Sequence, residues 1–227
     1  MTVAVFPRRN LPRRDDEART RLHEVARSAQ PVVLARDRAL PLEGTLAELV
    51  PGGALARGSV LRTTGSVGGG ATTVGFELAA ACTRLGEWAA AIDLDGTLGV
   101  LAAAEAGVAL ERFPVVRRVP PARWATVVAA LLDGVSLVVA EVPRGVGLGD
   151  ARRLEARARE RESVLVVAET CGAVWPGGAT CTLHAAASTW DGMERDAGVL
   201  TGRRLRVEVE GRGAAARPRV GELARVG

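Results

Sequence analysis

Apolar positions along the chain fall into two alternating rhythms. Short strands are predicted at residues 60–64, 88–94 and 115–119, and apolar runs predict buried strands at 135–139 and 163–168. Between them the spacing turns helical. Val74, Leu78, Cys82 and Leu85 recur through residues 72–85, a second helix follows over 97–106, and Trp124, Val127, Val128, Leu131 and Leu132 form a stripe after Pro121. Proline suits the first turn of that third helix, because its missing N–H has no intrahelical partner there. Asp150 opens a heavily charged helix reaching about Glu162, in which Glu155 and Arg159 form an i,i+4 pair. Beyond it the rhythm becomes two-fold: Cys181–Thr189 reads as β, and Leu205, Val207 and Val209 alternate with arginine and glutamate. Strands alternating with helices predict an α/β fold, with a mostly parallel sheet, helices on both faces and an antiparallel β extension at one edge.

The ends carry weaker patterns. Residues 1–12, with Pro7 and Pro12, read as an irregular lead, and Asp15-Asp16-Glu17 open a helix to about Ala29. Acids in a first turn suit the helix dipole, and Leu22, Val25, Ala26 and Ala29 share one side. Residues 31–58 are punctuated by Pro41, Gly44, Pro51, Gly52, Gly53 and Gly58 and read as loop-rich. The final stretch, GRGAAARPRVGELARVG, reads as a flexible basic tail and a strand at most. The expected division is therefore a lead and helix at 1–39, a core domain at 40–210 and a tail at 211–227, with no internal repeat.

Composition narrows the classes. At 227 residues and 48% hydrophobic, the chain can build one α/β core. No apolar run approaches a membrane span and the start lacks a signal-peptide pattern, so a cytoplasmic protein is expected. Cys82, Cys171 and Cys181 have no metal-ligand spacing and read as reduced thiols. The formal charge is +4, but all 30 basic residues are arginine, with no lysine and no tyrosine. Three thiols and the amino terminus cancel that surplus as they titrate, so a high isoelectric point reflects missing buffers more than a strong positive field.

The chemistry-bearing stretch is Thr63–Gly75, TTGSVGGGATTVG. A phosphate-binding loop reads G-x-x-x-x-G-K-[ST]. Gly65, Gly70 and Thr72 fall on those marks, Gly68, Gly69 and Thr73 complete the loop, and Ala71 stands where lysine belongs. Such loops line an anion site with backbone N–H groups, set lysine on the β- and γ-phosphates, and hold Mg²⁺ with Ser/Thr. In a lysine-free chain only arginine, such as Arg62 or Arg144, can replace the cation, and its planar fork is a poor exchange. Losing one positioned charge or donor costs about 3–4 kcal/mol in a transition state. Weak residual ATP/Mg binding is therefore the most that is expected, with no catalytic residues and no cofactor; a bare glycine turn is the plainer alternative.

With these residues in view, the chain resembles the RecA-like ATPase core over roughly residues 40–210. The segment Leu49–Val60 is similar to that family's approach to its first strand, and Gly65–Thr73 falls at its P-loop position. The resemblance places Asp95 at the catalytic-glutamate position, Glu141 at the Mg²⁺-supporting aspartate, and Thr170 at the γ-phosphate-sensing glutamine. Together these changes imply a dismantled ATPase. The loop Cys171–Thr180, at a DNA-binding position of the family, carries no basic side chain, so DNA contact is expected to be indirect or weak. The overall pattern is similar to the ImuA-type mutasome accessory family, related to RecA and SulA, whose mycobacterial form is called ImuA-prime. That resemblance implies a nucleoid-associated, non-catalytic adaptor in damage-induced translesion mutagenesis. Its partners would be an ImuB-like inactive Y-family polymerase and an error-prone replicative-type polymerase. A RecA-like ATP-binding repair protein with residual ATPase or single-strand binding, and a SulA-like division inhibitor, are the alternatives.

Partner-binding candidates are Trp175 in a Pro/Gly loop and the arginines Arg203, Arg204, Arg206, Arg212, Arg217, Arg219 and Arg225. Arg152, Arg153, Arg157, Arg159 and Arg161 read as a self-paired solvated face. Trp88 and Trp124 are expected in the core, and His184 is expected to be hydrogen-bonded rather than catalytic. His23, Ser66, Ser136 and Ser163 belong to no nucleophile constellation.

Overall fold

The computed structural model describes residues 39–66, 68–170, 172–193, 198–211 and 216–226. The predicted lead and first helix lie outside these residues, as do Cys171, Arg212 and the side chain of Arg225.

Strands β3 (Val60–Gly65), β4 (Ala89–Asp93), β6 (Leu137–Glu141) and β7 (Val164–Glu169) are central, and β4 and β6 are buried at every position. Strands covered on both faces need apolar side chains on both, which explains the apolar runs of β4, β6 and β7. With β5 (Val115–Arg117), β8 (Cys181–Met193), β9 (Gly198–Gly211) and β10 (Arg219–Val226) they form one sheet of order β10-β9-β8-β3-β7-β6-β4-β5. Pairing is parallel from β5 to β8 and antiparallel through β9 and β10. All parallel strands therefore end on one edge, which gathers Gly65, Asp93, Glu141 and Glu169 there.

Helix α2 (Ala71–Arg84) packs on one face, where Val74 and Leu78 meet Leu61, Val139 and Val166. Its close approach rests on Gly75, where a Cβ would sit 3.0 Å from Val139 Cγ1. Helices α4 (Pro121–Leu132) and α5 (Leu148–Arg161) cover the other face, placing Trp124, Val128 and Leu154 on Val138, Leu165 and Val167. A small antiparallel ribbon, β1 (Ala39–Pro41) with β2 (Ala54–Ala56), and the short helix α1 (Gly44–Leu49) fold within the stretch read as loop.

Several expectations shift. Helix α3 spans only Val100–Glu105 because the Asp93 carboxylate accepts the N–H groups of Thr97 (2.9 Å) and Leu98 (3.2 Å), holding that stretch as a turn. Strand β6 starts two residues late because Val135 N–H still bonds to Leu131 C=O at 3.0 Å. Trp88, expected in the core, precedes β4 and is 48% exposed. The expected flexible tail is corrected most: β10 pairs along β9, buries Leu223, lays Gly221 against Thr45 and Leu49 of α1, and donates from Arg219 Nη1 to Glu48 C=O at 3.0 Å. Leucine and valine inside an arginine-rich stretch were enough to extend the sheet. No described helix is long and apolar enough to cross a membrane.

Candidate functional site

The glycine loop joins β3 to α2 through a tight turn. Gly69 N–H donates to Ser66 C=O at 2.7 Å, and a Cβ on Gly69 would meet Ser66 Oγ at 2.6 Å. Gly68 has φ 73°, Gly70 caps α2 with φ 114°, and Ala71, at the lysine position, is buried. Thr72 and Thr73 follow, half-buried in the first turn. Beneath them Thr63 is fully buried, its hydroxyl without a hydrogen-bond partner among the described residues.

Strand β9 fills the space in front of this loop. A Cβ on Gly70 would meet Leu205 Cδ1 at 2.7 Å and Arg203 Nη2 at 3.0 Å. Arg203 donates from Nη1 to Thr73 Oγ1 (3.0 Å), from Nη2 to Gly68 C=O (3.5 Å) and from Nε to Ser188 Oγ (2.7 Å). Its guanidinium also lies 4.8 Å from the centroid of the Trp190 ring. The cation brought to the loop thus comes from β9. Arg62 instead forks onto Glu169 (2.9 and 2.8 Å), on the sheet face opposite α2, because side chains alternate along β3.

The other marked positions meet elsewhere on the same edge. Asp95, Glu141 and Thr170 line a cleft of about 310 Å³, together with Leu94, Arg144 and Ala173. Glu141 is buried; its Oε2 accepts Leu94 N–H at 2.8 Å and its Oε1 accepts the Thr170 hydroxyl at 3.3 Å. Burial pushes its carboxyl above the ordinary value of 4.5, and the negative charges of Asp93 and Asp95 push the same way, against those two hydrogen bonds. Trp124 Nε1 donates to Glu141 C=O at 2.7 Å, so helix α4 fixes the strand end. Asp95 is exposed at the cleft. The cleft thus offers a protonatable buried carboxyl, a hydroxyl and a guanidinium. Among the described residues no cluster of His, Cys, Asp and Glu is arranged to hold a metal ion.

Asp93, which sequence reasoning passed over, organises this corner. It is fully buried, it caps the turn at Thr97 and Leu98, and Arg117 Nε lies 3.2 Å from its Oδ2. A signal was present: an aspartate closing an apolar run, with Gly96 and Thr97 just beyond, is turn chemistry.

The partner candidates do not form one patch. Trp175 is corrected to a core residue: it is 3% exposed, packs edge-on against Trp124 at 6.2 Å, and its backbone N–H donates to Glu169 Oε1 at 2.7 Å. Arg204 pairs with Asp191 (2.8 Å) and Arg206 with Glu208 (3.2 Å), on the face of β9 opposite Arg203. Arg219 lies against α1, and Arg217 is exposed before β10. On α5, Arg157 forks onto Asp133 (2.6 and 2.7 Å) and reaches Glu160, while Arg161 joins Asp133 at 3.1 Å. His184 is exposed, with Nδ1 2.9 Å from Thr64 Oγ1. Exposed apolar side chains gather instead on the outer part of the β8–β9 hairpin, at Trp190, Val199 and Leu200.

Comparison with curated proteins gives no match. The family model of the MT3502 N-terminal domain matches residues 48–177, which is more than half of the chain. The match takes in the glycine loop, the cleft and Trp175, and stops short of β8–β10, whose Arg203 and Leu205 close the glycine loop. By that coverage the chain belongs to the MT3502 N-terminal domain family.

Proposed function

We propose that this chain is a non-catalytic binding module with a RecA-like core, an ImuA-type adaptor in damage-induced translesion synthesis. One observation carries the non-catalytic part. The glycine loop has buried Ala71 in place of lysine, and the space before Gly70 is taken by Leu205 and Arg203 of the same chain. A triphosphate would have to displace that side-chain packing with no ammonium to hold it. The RecA-like reading is supported by a glycine loop between a parallel strand and its helix, with Asp95, Glu141 and Thr170 converging at neighbouring strand ends.

Adaptor function then falls to surfaces. The inactive Y-family polymerase and the error-prone replicative-type polymerase implied by the resemblance are the partners to test. DNA contact would be indirect, since the Cys171–Thr180 loop supplies no basic side chain and its Trp175 is in the core. The test is co-purification from damage-treated cells, alongside steady-state ATP turnover by the purified chain. Capture of the two polymerases with turnover at background supports the proposal; turnover without capture overturns it.

A second reading is favoured by the position of Arg203: an ATPase in which this arginine compensates for the missing lysine. It requires turnover above background that disappears in Arg203→Ala.

A further inference from the structure

The β8–β9 hairpin outruns the strand beside it. Strand β3 ends at Gly65, opposite Ala185, yet β8 continues to Met193. Past Ala185 the register with β9 shifts between Ala185 and Ala187 and again between Asp191 and Met193, so this outer part is an irregular ribbon. Few-stranded ribbons are marginal in water unless a face is packed. Among the described residues, the face toward α2 meets the glycine loop, and β10 flanks β9 only as far as Gly202.

That contact is specific. The first bulge sets Ser188 and Trp190 opposite Leu205 and Arg203, on the face turned toward α2. Ser188 Oγ and the Trp190 ring then bracket the Arg203 guanidinium, while Thr73 Oγ1 and Gly68 C=O accept it from the loop side. Leu205 presses its methyls onto Gly70, where any side chain would intrude. A guanidinium is suited to this role because its planar fork donates in several directions while its face stacks on an indole.

We propose that the glycine loop is the receptor of an intramolecular latch, with Arg203 as the bolt and the outer β8–β9 hairpin as the element it holds. The loop that frames phosphate elsewhere here anchors the ribbon bearing Trp190, Val199 and Leu200. Loop and hairpin are coupled: a ligand seated before Gly70 displaces Arg203 and Leu205, and releasing Arg203 frees the ribbon. Arg203 is a positioning residue, acting through Trp190, Ser188 and Thr73. The latch does not depend on which partner the chain binds.

Hydrogen exchange on the full chain tests this, comparing wild type with Arg203→Ala, Arg203→Lys and Thr73→Val. Arg203→Ala is expected to speed exchange about tenfold or more in residues 186–193 and 198–201, and in 68–73, with β6 and β7 unchanged. Arg203→Lys is expected to restore little, since an ammonium cannot fork and stack together. Thr73→Val, made on the loop side, is expected to loosen the same hairpin segments to a smaller degree. Inorganic tripolyphosphate is expected to leave loop exchange unchanged in wild type. Unchanged hairpin exchange in Arg203→Ala, an equal rise across β6 and β7, full rescue by lysine, or tripolyphosphate protection of the wild-type loop with hairpin exchange left unchanged would each overturn the latch.

Discussion

The glycine loop and the strand-end cleft share one edge of the sheet and differ in how their space is used. The loop has the backbone of an anion site, but its side chains close it: Ser66 within, and Leu205 and Arg203 from across the sheet. The cleft holds about 310 Å³ of space beside Glu141, Asp95 and Arg144. Glycine geometry therefore says little about vacancy. What occupies a loop is decided by the strand that returns to it.

Substitutions that strike one region and spare the other sharpen this contrast. The largest effect is expected on the cleft side, where Trp175→Ala removes a ring packed edge-on against Trp124, which in turn holds Glu141 C=O. A loss of about 3–5 kcal/mol in urea unfolding is expected; a surface-like change below about 0.5 kcal/mol would place Trp175 outside the core. Next is Arg62→Ala, which leaves Glu169 nearly buried without its fork between β3 and β7. About 3 kcal/mol is expected, measured the same way. If Arg62 served the loop instead, the change would leave stability nearly untouched.

On the loop side, Gly70→Ala meets both a left-handed backbone at φ 114° and the Leu205 methyls. Thermal or urea unfolding should register about 1–3 kcal/mol. A neutral result would mean that β9 does not press on the loop. The smallest expected effect is conditional on pH. Burial holds the Glu141 carboxyl above its ordinary value of 4.5, so the folded chain keeps a proton that the unfolded chain releases. Stability supplied by this group is then present at low pH and declines as pH rises from the ordinary glutamate range through the raised value. Glu141→Gln removes that slope, so the variant should gain on wild type in urea midpoints as pH rises above the ordinary glutamate range. A gap that does not change with pH would mean that the carboxyl is not raised.

Legibility followed the range of the forces involved. The parallel core was readable because two-sided burial writes continuous apolar runs, as in Val138–Ala140 and Val164–Ala168. The helix of Trp124 was readable from its stripe and its proline start. Asp95, Glu141 and Thr170 were singled out at strand ends, and the cleft does bring them together. Composition alone puts Trp175 and Arg203 on a partner surface, because a Pro/Gly loop and an arginine-rich segment look solvated. Trp175 turned inward because Glu169 accepts its N–H and Trp124 offers an edge-on ring. The tail became β10 because β9 presented an open ladder and Leu223 could reach the core.

By itself the sequence determined the alternation of strand and helix, the glycine frame, and the lack of any lysine to serve it; these are local properties of residue type and spacing. Only the tertiary structure decided what fills that frame. Arg203 meets Thr73 across 130 positions of chain, through a pairing register and a bulge in β8 that set which β9 side chains face the loop. Register is a collective outcome of burying one face of a strand, and a shift of a single residue would have turned Arg203 and Leu205 to the opposite side.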